Sequence, residues 1–210
     1  MSRKPLKIGI TGGIGSGKTT VCKIFQFLGI PVYNADERAK WLMQHDDSLK
    51  TALAAEFGSA IFNDGGSLDR KALASIVFNN QEQLEKLNAI VHPAVGKDFD
   101  QWAESYPDSP YVLKEAALLI ESGSYKKLFR TIMVHAPEEV RMQRVLARDS
   151  FRTEDDVKKI MESQMPEKEK TSKCDHVIYN DGVNMVTPQV IKLHELFILI
   201  YENQPADKQQ

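Results

Sequence analysis

Gly12-Gly13-Ile14-Gly15-Ser16-Gly17-Lys18-Thr19 follows without a break on Leu6-Lys7-Ile8-Gly9-Ile10-Thr11. The second stretch reads as a buried strand, and the first is a complete phosphate-binding loop placed where such a loop must lie, between a strand and a helix. Its glycines let backbone N–H groups turn toward phosphate oxygens, Lys18 reaches the β and γ phosphates, and the Thr19 hydroxyl suits Mg²⁺. The partial positive charge at the start of the following helix favours the same anion. The motif and its flanks therefore predict a nucleoside triphosphate held on residues from Gly13 through Thr20.

Working outward, strand-like and helix-like segments alternate, the pattern of a doubly wound α/β fold with a parallel sheet. After the first strand, a helix is expected over Lys18 to Leu28, with Val21, Ile24, Phe25 and Leu28 as its apolar stripe and Gly29 as its stop. Further strands are expected at Ile30 to Tyr33, Pro110 to Leu113, Thr131 to His135 and His176 to Tyr179. Between the second and third strands lie about 75 residues with helical spacing throughout: Asp36 to Gln44, Ser48 to Phe57, Asp69 to Phe78, Gln81 to Ile90 and His92 to Glu104. An insertion of that size at the carboxyl edge of the sheet is read as the part that binds an acceptor. Two more helices, Pro137 to Arg148 and Thr153 to Met165, flank a polar link and read as a lid, with Thr153 and Asp156 spaced as a capping box. The expected layout is one domain over residues 1–203. Its core is 1–35, 108–136 and 174–203, the acceptor-binding insertion 36–107 and the lid 137–173, followed by a frayed tail at 204–210.

Composition narrows the class. A chain of 210 residues with net charge −2 has no basic footprint of the kind duplex nucleic acid demands. Two cysteines, Cys22 and Cys174, far apart, argue against a disulfide framework and for a reducing compartment, the cytoplasm. Arg3, Lys4 and Lys7 precede an apolar stretch, but it runs straight into the glycine loop and so reads as a core strand rather than a secretory signal. The apolar run Leu196 to Tyr201 is too short to cross a bilayer and fits a packing helix with Val190, Leu193 and His194.

Asp36 ends the segment after the second strand, where strand ends open into the ligand crevice. Its carboxylate suits deprotonation of an acceptor hydroxyl and equally suits a helix N-cap. Arg141, Arg144 and Arg148 share one helical face on the lid and suit either phosphate oxygens or solvent; Arg141 is read as surface, paired with Glu138 along the helix. The five histidines show no metal spacing, and Lys126 and Lys127 read as a solvated edge.

These residues resemble the dephospho-coenzyme A kinase family. The likeness runs through Ile10 to Thr19, Asn34-Ala35-Asp36, Arg70 with Leu73, Val77 and Phe78, then His92-Pro93 and Leu118-Leu119-Ile120-Glu121. It continues through Arg144 with Arg148, Gln164, and Asp175 to Gly182, spanning nearly the whole chain. The resemblance implies a P-loop kinase that uses ATP and Mg²⁺, the metal on Thr19, to phosphorylate the ribose 3′-hydroxyl of dephospho-coenzyme A. It implies Asp36 as the group that engages that hydroxyl, Lys18 on the phosphates, and Arg148 and Arg144 as basic lid positions. Asn180 falls near the adenine, and Lys40, Arg70 and His92 lie on the acceptor side. The implied enzyme acts on a small molecule, with no nucleic acid or membrane partner, as a monomer or weak homo-oligomer. Two positions depart from the family pattern: Asn34 stands where the family usually has Asp, and Ala117 where it usually has Pro. A nucleoside or nucleoside monophosphate kinase shares this architecture. A guanine-specific switch would carry an Asn-Lys-x-Asp segment, which the chain lacks.

Overall fold

β1 (Leu6–Thr11) is buried on both faces, with Ile8 and Ile10 fully enclosed, as a central strand of a parallel sheet must be. The computed structural model describes residues 3–77 and 80–204, so Phe78 and the tail from Pro205 lie outside the described residues. β2 (Val32–Asn34), β3 (Tyr111–Glu115), β4 (Arg130–His135) and β5 (His176–Tyr179) complete one parallel sheet in the order β2-β3-β1-β4-β5. The chain reverses direction across the sheet on either side of β1, so the carboxyl ends of β3, β1 and β4 meet at the switch point, where doubly wound sheets bind ligands.

α1 (Lys18–Phe27) packs Val21, Cys22 and Phe25 onto this sheet. α9 (Val186–Asn203) adds Val190 and Phe197 to the same core, beside Tyr111, Leu113 and Ile132. Burial of each such side chain contributes roughly 1.5–3 kcal/mol. The core thus anchors α1 at its far end while its first turn stays at the phosphate loop. Gly29, at φ +83° and with its N–H on the Gln26 carbonyl, turns the chain out of α1.

β4 gains one residue, Arg130, at its start, and two strands differ more from expectation. β3 runs two residues further, to Glu115, because Lys114 and Glu115 continue the ladder opposite Gly9 and Ile10 and are themselves buried. β2 begins later, at Val32. Pro31 has no N–H to donate and takes part only through its carbonyl, which accepts from Leu113.

The chain divides into two compact units, the helical one being Ala35–Gln101 and the sheet unit the remainder. The helical unit holds α2 (Ala35–His45), α3 (Asp47–Phe57), α4 (Arg70–Val77) and most of α5 (Gln81–Glu104). Two helices were expected where α5 runs unbroken through Pro93. The proline deletes one backbone hydrogen bond, but Val91, Val95 and Phe99, spaced four apart, carry one buried stripe across it. Asp46 caps α3 by accepting from the Leu49 N–H at 2.8 Å. Asp36 lies in the first turn of α2 rather than before it, so the N-cap alternative is set aside.

In the sheet unit, α6 (Glu138–Arg148) and α7 (Glu154–Glu162) follow β4, and Thr153 and Asp156 form the expected capping box. α7 ends sooner than expected. After Pro166 a short helix, α8 (Glu167–Ser172), forms instead, since proline cannot continue α7 but suits a helix start.

Candidate active site

The phosphate loop takes its shape from two left-handed glycines, Gly15 at φ +79° and Gly17 at φ +88°, and from a turn in which the Ser16 N–H donates to the Gly13 carbonyl. Its carbonyls are drawn to other partners. Lys18 Nζ donates to the Gly12 and Gly13 carbonyls at 2.8 and 3.2 Å, and Asn180 Nδ2 donates to the Ser16 carbonyl at 2.8 Å. The first N–H groups of α1 have no acceptor within the helix. The Ser16 hydroxyl is buried with no hydrogen-bond partner among the described residues. Together these leave a polar cradle with its lysine parked on backbone oxygen, an arrangement that fits a polyphosphate.

At the second residue of α1, the Thr19 hydroxyl donates to Glu115 Oε1 at 3.1 Å, and Asn34 Nδ2 donates to Glu115 Oε2 at 3.3 Å. Glu115 is buried at the carboxyl end of β3, beside the cradle. The Cys22 thiol, one helical turn on, is pushed far up by burial and then by the adjacent Glu115 charge, so it stays protonated. Among the described residues no group of three or more His, Cys, Asp or Glu side chains is placed to hold a metal. A hydroxyl and one carboxylate fit Mg²⁺, which keeps waters and takes phosphate oxygens for the rest of its shell. Sequence reading gave Glu115 no role. The available signal was an apolar strand, Tyr111-Val112-Leu113, ending in a charged pair on the strand beside β1.

The three arginines of α6 have separate surroundings. Arg141, expected on the surface and paired with Glu138, is instead buried. Its Nε donates to the Ala136 carbonyl at 3.1 Å and its Nη2 lies 3.3 Å from Glu167 Oε2, because its face of α6 is seated against the loop rather than solvent. Arg144 donates to the Asn180 carbonyl at 2.8 Å, so it braces the residue that braces Ser16. Asn180, expected near the adenine, has its amide taken up by the loop itself. Arg148 alone is exposed, held by Asp149 at 2.8 and 2.9 Å, with Arg152 joining the same carboxylate at 3.1 Å. Those guanidinium bonds, Arg148's first, hold the Asp149 carboxyl down at about 2.

Gln164, between α7 and α8, accepts from the Ile14 N–H at 3.0 Å. Behind it, Lys170 is fully buried and donates to Glu121 at 2.6 Å and to the Ala117 carbonyl at 3.2 Å, while the Met165 N–H also donates to Glu121. The lid segment is thereby fastened to the loop after β3 where Ala117 stands.

In the helical unit, Lys40 pairs with Glu37 at 2.7 Å, a bond that holds the Glu37 carboxyl below its ordinary range. Lys40 and Arg70 line an open cavity of about 370 Å³ together with Trp41 and His45. The Trp41 indole is stacked on the His45 ring at 4.7 Å and carries the Arg38 guanidinium over its ring at 4.4 Å. His92 falls inside α5 beside Pro93 rather than at a helix start.

Comparison with known proteins supplies the family. The dephospho-CoA kinase family model matches residues 6–185. A dephospho-CoA kinase from Porphyromonas gingivalis is 38% identical over 190 residues, covering 90% of this chain and 93% of the relative. One from Salinibacter ruber is 40% identical over 177 residues, covering 83% and 88%. Among solved structures, one from Thermus thermophilus superposes with a TM-score of 0.76 at 34% identity, covering 97% of this chain and all of the other. The dephospho-CoA kinase from Campylobacter jejuni gives 0.65 at 25% identity, covering 90% and 95%. A shikimate kinase from Acinetobacter baumannii, at 15% identity, a TM-score of 0.51 and coverage of 96% and 97%, shares the fold. With a complete phosphate loop and this extent of match, the chain belongs to the dephospho-CoA kinase family.

Proposed function

We propose that this chain transfers the γ-phosphoryl group of ATP to the ribose 3′-hydroxyl of dephospho-coenzyme A, giving coenzyme A and ADP. The observation that carries it is the convergence of Lys18, Thr19 and Glu115 at the switch point of the sheet, in a chain matched by the family over residues 6–185.

Phosphoryl transfer asks the protein mainly for positioning and charge. Lys18 exchanges the carbonyls of Gly12 and Gly13 for phosphate oxygens, and the loop amides hold the rest of the anion. Thr19 and Glu115 would hold Mg²⁺, which when bound neutralises charge on the phosphates. Asn34 keeps the Glu115 carboxylate in place from β2, so the acidic group of this part of the site sits on β3. Asp36, two residues after Asn34, accepts the proton of the 3′-hydroxyl. Arg148 is the lid residue suited to the transferring group: its own side chain is exposed, and its partner Asp149 keeps a second guanidinium, Arg152, when Arg148 leaves. Lys40 and Arg70 supply positive charge for the acceptor's own phosphates, while Arg144 and Asn180 hold the loop. Both cysteines are free, which supports a reducing compartment, and we place the enzyme in the cytoplasm as a monomer or weak homo-oligomer.

The test offers purified protein and MgATP three acceptors in separate reactions: dephospho-coenzyme A, a nucleoside and a nucleoside monophosphate. Mass spectrometry should find one added phosphoryl group on dephospho-coenzyme A. Gain on either of the other two alone would replace this assignment.

A further inference from the structure

The phosphate loop touches α6, and the contact is tight enough to dictate sequence. A Cβ placed on Gly13 would run into Nη1 of Arg141, and one on Gly15 would run into the backbone of the same residue. Arg141 is itself fixed from three directions. Its N–H donates to the Pro137 carbonyl, its Nε to the Ala136 carbonyl, and its Nη2 meets Glu167, whose other oxygen lies 3.1 Å from His135 Nδ1. Next to it, Gln164 takes the Ile14 N–H, the amide midway between the two crowded glycines. Around these contacts lies a cavity of about 560 Å³ whose walls include Gly13, Arg141, Gln164 and Glu167.

We propose that Arg141 and Gln164 are positioning residues for ATP: they back the phosphate loop at Gly13–Gly15 and hold it in its anion-ready shape. The contact explains two glycines at once. Gly15 needs its left-handed conformation, but Gly13 has no such need, and its side-chain position is filled by the guanidinium. Because Arg141 belongs to α6 and Gln164 to the link after α7, the loop's shape is tied to the seating of the lid segment. This role rests on the proposed use of ATP but not on the identity of the acceptor.

The test is a double-mutant cycle read as the dissociation constant for MgATP, measured by calorimetry without acceptor. Arg141→Met removes the guanidinium and should raise the constant by about tenfold, with kcat at saturating ATP within about twofold, as expected when ground and transition states lose the same support. Gly13→Ala should raise it by a similar factor, because its methyl meets Arg141. The two together should cost about tenfold rather than about a hundredfold, since the methyl then has room. Gln164→Leu, which leaves the Ile14 N–H without its acceptor, should weaken ATP binding in the same direction. Unchanged constants, or a fully multiplicative double variant, would overturn the proposal, as would a loss confined to kcat. Melting of each variant without nucleotide separates loss of fold from loss of support: a lower melting temperature with unaltered affinity marks Arg141 as merely structural and also overturns it. A wild type that binds ATP but fails to phosphorylate dephospho-coenzyme A would remove the acceptor assignment and leave this cycle interpretable.

Discussion

Glu115 is a buried carboxylate whose two oxygens are divided between Thr19 and Asn34, with a protonated thiol, Cys22, as the next neighbour. A carboxylate buried there needs polar partners, of which Thr19 and Asn34 supply one to each oxygen. A bound Mg²⁺ would add a further partner. Glu115→Gln keeps the volume while removing the charge, and should raise the Mg²⁺ concentration for half-maximal ATP binding by roughly 10–100-fold, the usual cost of losing such a group. A magnesium titration at fixed ATP reads this directly, and an unshifted midpoint would take Glu115 out of the metal site. Asp36 predicts a different signature. With Asp36 as the proposed base for the acceptor hydroxyl, Asp36→Asn should lower turnover by about 10²–10⁴ while the MgATP dissociation constant stays within about twofold. The pair of variants thus separates donor-side from acceptor-side carboxylates by which constant moves.

At the scale of elements, the loop that leads from β5 to α9 is organised by one carboxylate. Asp181 accepts from the backbone N–H groups of Asn184 and Val183 and from the Asn184 amide, bonds that pull its carboxyl from 3.8 down to about 2. A folded value below the unfolded one gives stability that is complete above the unfolded value and is lost as pH falls through the folded one. The wild type should therefore lose more melting temperature than Asp181→Ala between about pH 4 and pH 2, and parallel curves for the two would dismiss the loop's role. Asp181 itself gave no such signal in the sequence, whereas β1, the phosphate loop, α1 and β5 were legible, because an unbroken apolar run, glycine spacing and helical periodicity are local properties. What escaped was set by tertiary contact. The charged pair Lys114-Glu115 looks like the end of a strand until Gly9 and Ile10 are placed beside it. Arg141 looks like solvated surface until its face of α6 is known to meet Gly13 and Gly15. Pro93 looks like a break until Val91, Val95 and Phe99 are seen to share a buried stripe.

Across the whole molecule, nucleotide binding should appear as stability, because the groups that receive ATP and metal are engaged with one another rather than idle. Lys18 leaves two backbone carbonyls and Thr19 leaves Glu115, while Arg141, Gln164 and Asn180 keep the loop shape that receives the anion. A ligand that binds only the folded chain adds about 2.7 kcal/mol at a hundred times its dissociation constant. For a chain of this length each kcal/mol moves the midpoint by about 2–4 °C, so saturating MgATP should raise it by about 5–10 °C. Chelation of the metal with EDTA, ATP being kept, should return a large part of that gain, since the Thr19–Glu115 position then contributes repulsion between carboxylate and phosphate. In Glu115→Gln the curves with and without EDTA should draw together, because less of the stabilisation depends on the metal. Differential scanning fluorimetry on wild type and variant, with ATP held fixed and metal varied, checks all three statements. Equal EDTA effects in the two proteins would show that the metal is held without Glu115 and would return its buried charge to a purely structural role beside Asn34.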